Sequence, residues 1–116
     1  MKIRRIVPNL KTADPAKARE FYGAFLGLDV VMDQGWIVTF ASDAKMRPQV
    51  SFMSEGGSGT PVPDLSIEVE DVDEAYASAR SAGLDIVYHL AREPWGVRRF
   101  FVRDPFGAIV NILTHE

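Results

Sequence analysis

Few residues in this chain of 116 can carry chemistry, and most of them stand in strand-like segments. VRRFFVRDPFGAIVNIL, at 97–113, sets Arg99, Arg103 and Asn111 into an otherwise apolar hairpin. Asp64 and Glu68 stand in PDLSIEV, Ser51 in QVSFM, and Arg5 in the opening IRRIVPNL. The two carboxylates are the candidates for acid or base work. A carboxylate near a guanidinium is held ionised rather than poised near neutrality, so ion pairing is the expected role of Asp64 and Glu68. His89 and His115 have no partner at metal-ligand spacing, and a surface position and a tail position are expected for them. With no cysteine, disulfides, thiolate chemistry and zinc knuckles are excluded, and a reducing cytoplasm is the expected compartment.

A formal net charge of -3 argues against nucleic acid, which calls for a concentrated basic patch. Arg98, Arg99 and Arg103 form the one basic cluster of the second half. No run approaches the roughly 20 apolar residues of a membrane span, and MKIRRIV leads straight into polar NLKTAD, so neither a span nor a signal peptide is expected.

The elements that must position these groups come in two copies. Asp14 as N-cap, Pro15 at the first position and Gly27 as a left-handed stop predict a helix near 15–26, with Ala18, Phe21, Tyr22, Phe25 and Leu26 as its buried stripe. Asp71 followed by Glu74, with Gly83 beyond, predicts a second helix near 72–82 with Val72, Ala75, Tyr76 and Ala79 inward. The helices end in parallel phrases, LGLDVVM at 26–32 and AGLDIVY at 82–88. Each is preceded by one alternating segment and followed by strands of period two, so a unit of strand, helix and three strands is written twice. We expect one domain with a first module near 1–54, a linker at 55–63 and a second module near 64–116; the Gly/Ser/Pro-rich EGGSGTPVP also admits a flap reading.

Alternation sorts the faces. Across the DPFG loop, Phe101 falls opposite Asn111 and Arg103 opposite Ile109, which places Phe100, Val102, Val110 and Ile112 under a helix. Val97, Arg99, Phe101, Arg103, Ile109, Asn111 and Leu113 share the other face. The same sorting sends Pro8 and Leu10, Leu65, Ile67 and Val69 toward the helices and Asp64, Ser66 and Glu68 away. Trp36, Val38, Phe40 and Met53 are expected on the half-polar face as well. Large apolar groups interleaved with a few polar ones describe a ligand site better than a solvated surface.

FYGAFLGLDV, EVEDVDEAYASARSAGLDIV and RRFFVRDPFGAIVNIL, set in the doubled unit, resemble the vicinal oxygen chelate superfamily of glyoxalases, bleomycin-resistance proteins and extradiol dioxygenases. The resemblance covers nearly the whole chain. It implies an α+β fold of two tandem βαβββ modules that form a curved mixed sheet around a U-shaped cleft, with the helices on the outer face. In metal-using members a divalent ion is held by a His or Gln in the first strand of each unit and a Glu in the last, positions that fall here at Arg5, Ser51, Asp64 and Asn111. Arg5 has no lone pair to give and repels a cation, while Ser51 and Asn111 are weak neutral ligands, so no metal and no cofactor is expected.

The chain resembles the bleomycin-resistance branch in particular. That implies a cytoplasmic homodimer that binds a small molecule, an antibiotic or metabolite, without turnover. Trp36 and Phe101 would offer flat faces to an aromatic ligand with Trp95 near the rim, and Val38, Phe40, Ser51 and Met53 would line the site. Arg5, Asp64, Arg99 and Asn111 would orient polar groups. The alternatives are a lyase, isomerase or dioxygenase with a displaced metal site, and a non-catalytic dimerising domain with a vestigial cleft.

Overall fold

The computed structural model describes residues 8, 10, 12–44, 51 and 53–116. The chain divides into two compact units, Met1–Met53 and Ser54–Glu116. Arg5 lies outside the described residues, as do most of the expected opening strand and Gln49, Val50 and Phe52 of QVSFM.

In the first unit the helix expected over 15–26 is irregular. It opens as a 3₁₀ turn, Pro15–Lys17, and continues over Arg19–Phe25 with the wider winding in which an amide reaches five residues back, as from Leu26 to the Phe21 carbonyl at 3.0 Å. Along it the rings of Phe21, Tyr22 and Phe25 meet edge-on, and Phe21 and Tyr22 are its buried members. Asp14 does not cap with its side chain; its carbonyl takes the Lys17 amide instead. Gly27, at φ +70°, ends the helix as expected, and Leu28 reaches back to the Tyr22 carbonyl.

β1 (Asp29–Asp33) and β2 (Val38–Ala41) then pair antiparallel with a bulge between Val30 and Met32. Phe40 corrects an expectation here. Its ring lies 6.0 Å from that of Tyr22, in the space left by Gly23, so it faces the helix rather than away from it. A one-residue offset reverses every side chain of a strand, and alternation takes Val38 with Phe40. Pro8 and Leu10, expected inward, are exposed.

The second unit shows the repeating unit in full among its described elements: β3 (Leu65–Glu68), α1 (Val72–Ser81), β4 (Ile86–Arg92), β5 (Val97–Arg103) and β6 (Ile109–His115). The sheet order is β3-β6-β5-β4, with β3 parallel to β6 and the other pairs antiparallel. α1 starts where its cap predicts, the Asp71 carboxylate accepting the Glu74 amide at 3.0 Å. Removing that acceptor leaves a helix-end donor bare, so Asp71→Ala is expected to cost about 1 kcal/mol in urea unfolding, with Asp71→Ser close to wild type.

The helix-facing part of the core is the face that alternation assigned to it, and the opposite face, expected half-polar and open to a ligand, is buried as well at Val97, Arg99, Phe101, Asn111 and Leu113. Phe100, Val102, Val110 and Ile112 are fully buried, and Tyr76 of α1 meets Phe100 edge-on at 5.1 Å. The hairpin register is the expected one, Phe101 opposite Asn111 and Arg103 opposite Ile109. Asp104 sets it: its carboxylate accepts the amides of Phe106 and Ala108, while Gly107 takes φ +87°, a conformation that suits glycine.

Candidate functional site

The opposite face of the same sheet answers why an arginine stands inside a hydrophobic hairpin. β5 delivers Arg99 and Phe101 to that face, β4 delivers Tyr88, and the loop between these strands supplies Glu93 and Trp95. The Arg99 guanidinium carbon lies 4.8 Å from the Phe101 ring centre, 5.0 Å from Trp95 and 5.4 Å from Tyr88. Three aromatic faces thus enclose one cation, which the ring quadrupoles favour where water is excluded. Arg99 is 3% exposed and Trp95 52%, so the enclosure reaches the surface at the Trp95 ring.

The buried charge has a buried counter-charge. Glu93, 5% exposed, accepts from Arg99 Nε at 3.3 Å, from the Tyr88 hydroxyl at 2.6 Å and from the Ser58 hydroxyl at 2.5 Å. Burial alone would raise the Glu93 pKa; the bonds from Ser58 and Tyr88 and the charge of Arg99 outweigh it and hold the carboxyl below its ordinary range. The Tyr88 phenol is pushed upward, chiefly by its bond to Glu93 and by burial, and so stays protonated as a donor.

The segment expected as a linker packs onto this cluster. Ser58 and Gly59 both take positive φ, closing a tight turn in which the Gly57 carbonyl accepts the Thr60 amide at 2.9 Å and the Thr60 hydroxyl at 2.7 Å. The same carbonyl accepts from Arg99 Nη2 at 3.3 Å. Gly57 has φ +83°, and a Cβ there would stand 2.7 Å from the Trp95 ring, so its backbone can lie on the indole only as glycine. Residues 57–60 form a strap, latched to Glu93 and Arg99 and laid against Trp95.

Trp36 stands in the β1–β2 turn of the first unit, 75% exposed, and Ser51 and Met53 are exposed in that unit. The Asp64 carboxylate accepts the Ile109 amide at 2.7 Å, which ties β3 to β6. The residue facing Asn111 across β3 and β6 is Ser66, whose Oγ accepts from Asn111 Nδ2 at 3.1 Å. Asn111 Oδ1 is buried with no partner among the described residues.

The metal positions implied by the resemblance do not fit an ion. Asp64 is committed to a backbone amide, Asn111 and Ser51 are neutral, and Arg5 is a cation by its chemistry. The histidines are at the surface with partners, His89 on the Tyr76 hydroxyl at 2.7 Å and His115 on Glu68 at 2.8 Å. The bond from His115 holds the Glu68 carboxyl below its ordinary range. The basic cluster is likewise engaged: Arg98 with Asp73 at 2.7 Å, Arg99 with Glu93, Arg103 with Asp85 at 3.2 Å.

Tyr88, Glu93, Gly57, Ser58 and Ser66 were not among the expected site residues. One sequence signal points to Glu93: an acid in the short AREPWG turn, six residues before an arginine that alternation sets among apolar residues on the half-polar face.

The second unit is thus an α+β module, a βαβββ sheet whose non-helical face gathers aromatic rings around buried polar groups. The family model for the Glyoxalase/Bleomycin resistance protein/Dioxygenase superfamily matches residues 2–112, and the chain belongs to that superfamily. Among solved structures, TioX from Micromonospora sp. ML1 is 24% identical with a TM-score of 0.66, over 97% of this chain and 96% of its own. TnmS3, an antibiotic binding protein from Streptomyces sp. CB03234, is 22% identical with a TM-score of 0.68 over 92% and 91%. Lactoylglutathione lyase from Agrobacterium tumefaciens is 21% identical with a TM-score of 0.67 over 97% and 92%. At these identities the likeness is one of fold. No curated protein matches the chain. Among the described residues no helix is long and apolar enough to cross a membrane.

Proposed function

We propose that the protein is a metal-independent binder of a small planar molecule, an antibiotic or metabolite, held by stacking and hydrogen bonds and not turned over. The observation that carries this reading is the Trp95 indole, half exposed at the edge of an enclosure whose interior is aromatic and whose one cation is already neutralised. A ring laid on Trp95 gains contact area without competing for the Arg99 charge. Superfamily membership and the likeness in fold to an antibiotic binding protein support the same reading. Homodimerisation and a cytoplasmic location belong to the proposal.

In a Trp36→Phe background Trp95 is the sole tryptophan, and its emission is expected to change saturably with one or more planar aromatic antibiotics or phenolic metabolites. Trp95→Ala is expected to weaken that binding at least about tenfold when followed by calorimetry, the scale of a lost aromatic anchor. Emission that stays flat across the panel argues against the reading. So does stoichiometric divalent metal, in protein purified without chelator, on which binding depends.

A further inference from the structure

We infer that the 57–60 strap is a built-in surrogate ligand, displaced by a neutral planar molecule that carries a carbonyl acceptor beside an N–H or O–H donor; the inference rests on the binding function proposed above. The Arg99–Glu93 ion pair is made through Nε and Oε1, and both residues are buried, at 3% and 5% exposed. The outer atoms of the pair are taken by the strap. Arg99 Nη2 donates to the Gly57 carbonyl at 3.3 Å, and Glu93 Oε2 accepts from the Ser58 hydroxyl at 2.5 Å. An acceptor and a donor on consecutive residues, with the Gly57 backbone against the Trp95 indole, thus fill the place and make the bonds that a bound lactam or hydroxy-carbonyl compound would.

Two features fit this segment for leaving. Its own bonds travel with it: the Gly56 amide donates to the Thr60 carbonyl at 3.0 Å, and Thr60, though buried, has its amide and hydroxyl satisfied on the Gly57 carbonyl inside the turn. The turn is tied to the sheet through Ser58 and through Arg99. Ser58 also sits at φ +50°, the one non-glycine residue with positive φ among the described residues, and the closed strap bears the cost of that conformation. Ser58 and Gly59 are exposed, as are Ser54, Glu55, Pro61 and Val62 on either side, so the tip can swing into water on exposed flanks. Lifting it uncovers the Trp95 ring, one donor and one acceptor, in a space the size of the turn itself. Because Arg99 and Glu93 neutralise each other, a charged ligand gains no net attraction there, whereas a neutral one replaces the bonds of the strap one for one.

The test compares 2-quinolone, whose ring carbonyl adjoins an N–H, with N-methyl-2-quinolone, which lacks the donor, by calorimetry at concentrations up to millimolar. Wild type is expected to bind 2-quinolone about tenfold more tightly than the methylated compound, the scale of a hydrogen bond to a buried charge. Ser58→Ala removes a tie of the strap and no group that the ligand would use. It should therefore bind 2-quinolone about tenfold more tightly than wild type, because a larger fraction of the protein is open. In Gly57→Ala a Cβ 2.7 Å from the indole should push the strap off, which in the Trp36→Phe background raises the quenching of Trp95 by acrylamide. Binding of neither quinolone, with Trp95 emission flat across the aromatic panel as well, would overturn the binding function and this inference with it. Binding of neither quinolone while other planar compounds do move Trp95 emission would overturn the inference alone. So would equal binding of the two quinolones by wild type, or binding of 2-quinolone by Ser58→Ala that is unchanged or weaker, or Trp95 quenching that stays the same in Gly57→Ala. The Ser58→Ala result stands whether or not Gly57→Ala folds.

Discussion

Glu93→Ala is expected to lower the unfolding free energy by about 3–5 kcal/mol, the usual cost of leaving one half of a buried ion pair without its partner. Arg99 would keep its three aromatic walls and the Gly57 carbonyl but lose its counter-charge, in a place where water does not reach. Tyr88 and Ser58 would lose their acceptor in the same step. Glu93→Gln, which retains an acceptor oxygen without charge, should fall between the two. Glu93→Leu combined with Arg99→Met should recover part of the loss, because two apolar groups of similar volume carry no charge-desolvation cost although Tyr88 and the Gly57 carbonyl still lack their partners. Urea unfolding of the four proteins checks the ranking. A loss below about 1 kcal/mol for Glu93→Ala, the scale of an exposed pair, would argue that this ion pair is not dry.

The pH dependence has a definite sign. The folded Glu93 carboxyl sits below its unfolded value, so the contribution is complete above the ordinary carboxylate range near 4.5 and fades as pH falls through the lowered folded pKa. The stability difference between wild type and Glu93→Gln is therefore expected to be flat from neutrality to about pH 5 and to shrink below it. Glu68 shifts in the same direction, but its side chain is exposed and contributes little.

Phe101→Ala is the second large effect, about 3–5 kcal/mol for a fully buried phenylalanine. Its neighbour Phe100 is equally buried, so Phe100→Ala should cost a similar amount, and stability alone does not separate the two. Their faces do. Phe100 meets Tyr76 of α1, whereas Phe101 lies under Arg99 and 5.4 Å from Tyr88. Removing Phe101 opens space beneath the guanidinium and loosens the ring set that includes Trp95. The emission of Trp95, read in the Trp36→Phe background, should move to longer wavelength in Phe101→Ala and stay in place in Phe100→Ala. Equal shifts in both would mean that the two faces are not independent.

The difference between Phe100 and Phe101 was legible in the sequence because it depends on a period of two and on a short loop. DPFG has one residue suited to each turn position, so the register across it, and with it the side chosen by every residue of β5 and β6, follows from local chemistry. The same holds for α1, whose cap and stop lie within its own segment. Where local signals conflicted, the reading failed. β1 carries a bulge that no residue announces, and Phe40 went to the opposite face from the one expected. The helix before it bears good end signals but winds irregularly between them.

Trp95, Arg99 and Phe101 were singled out from the sequence and do come together. What gives them their character was not legible. Arg99 faces a carboxylate from a neighbouring loop and a carbonyl 42 residues back in the chain, contacts that depend on how β4 meets β5 and on the positive φ of Gly57. Asp64 and Ser66 are two residues apart with the same outward sense, and only the offset of β3 against β6 makes one a tie to Ile109 and the other the partner of Asn111.

By itself the sequence determined the doubled unit, the extent of α1, the β5–β6 register and the presence of polar groups on an apolar face, because each is set by residues near one another in the chain. Tertiary structure alone decided which of those groups are neutralised, which are tied to backbone, and that Asn111 Oδ1 finds no partner among the described residues. The physical reason is that hydrogen bonds and charge pairs act over a few ångströms, and which distant residues come within that range is known only once the strands have paired.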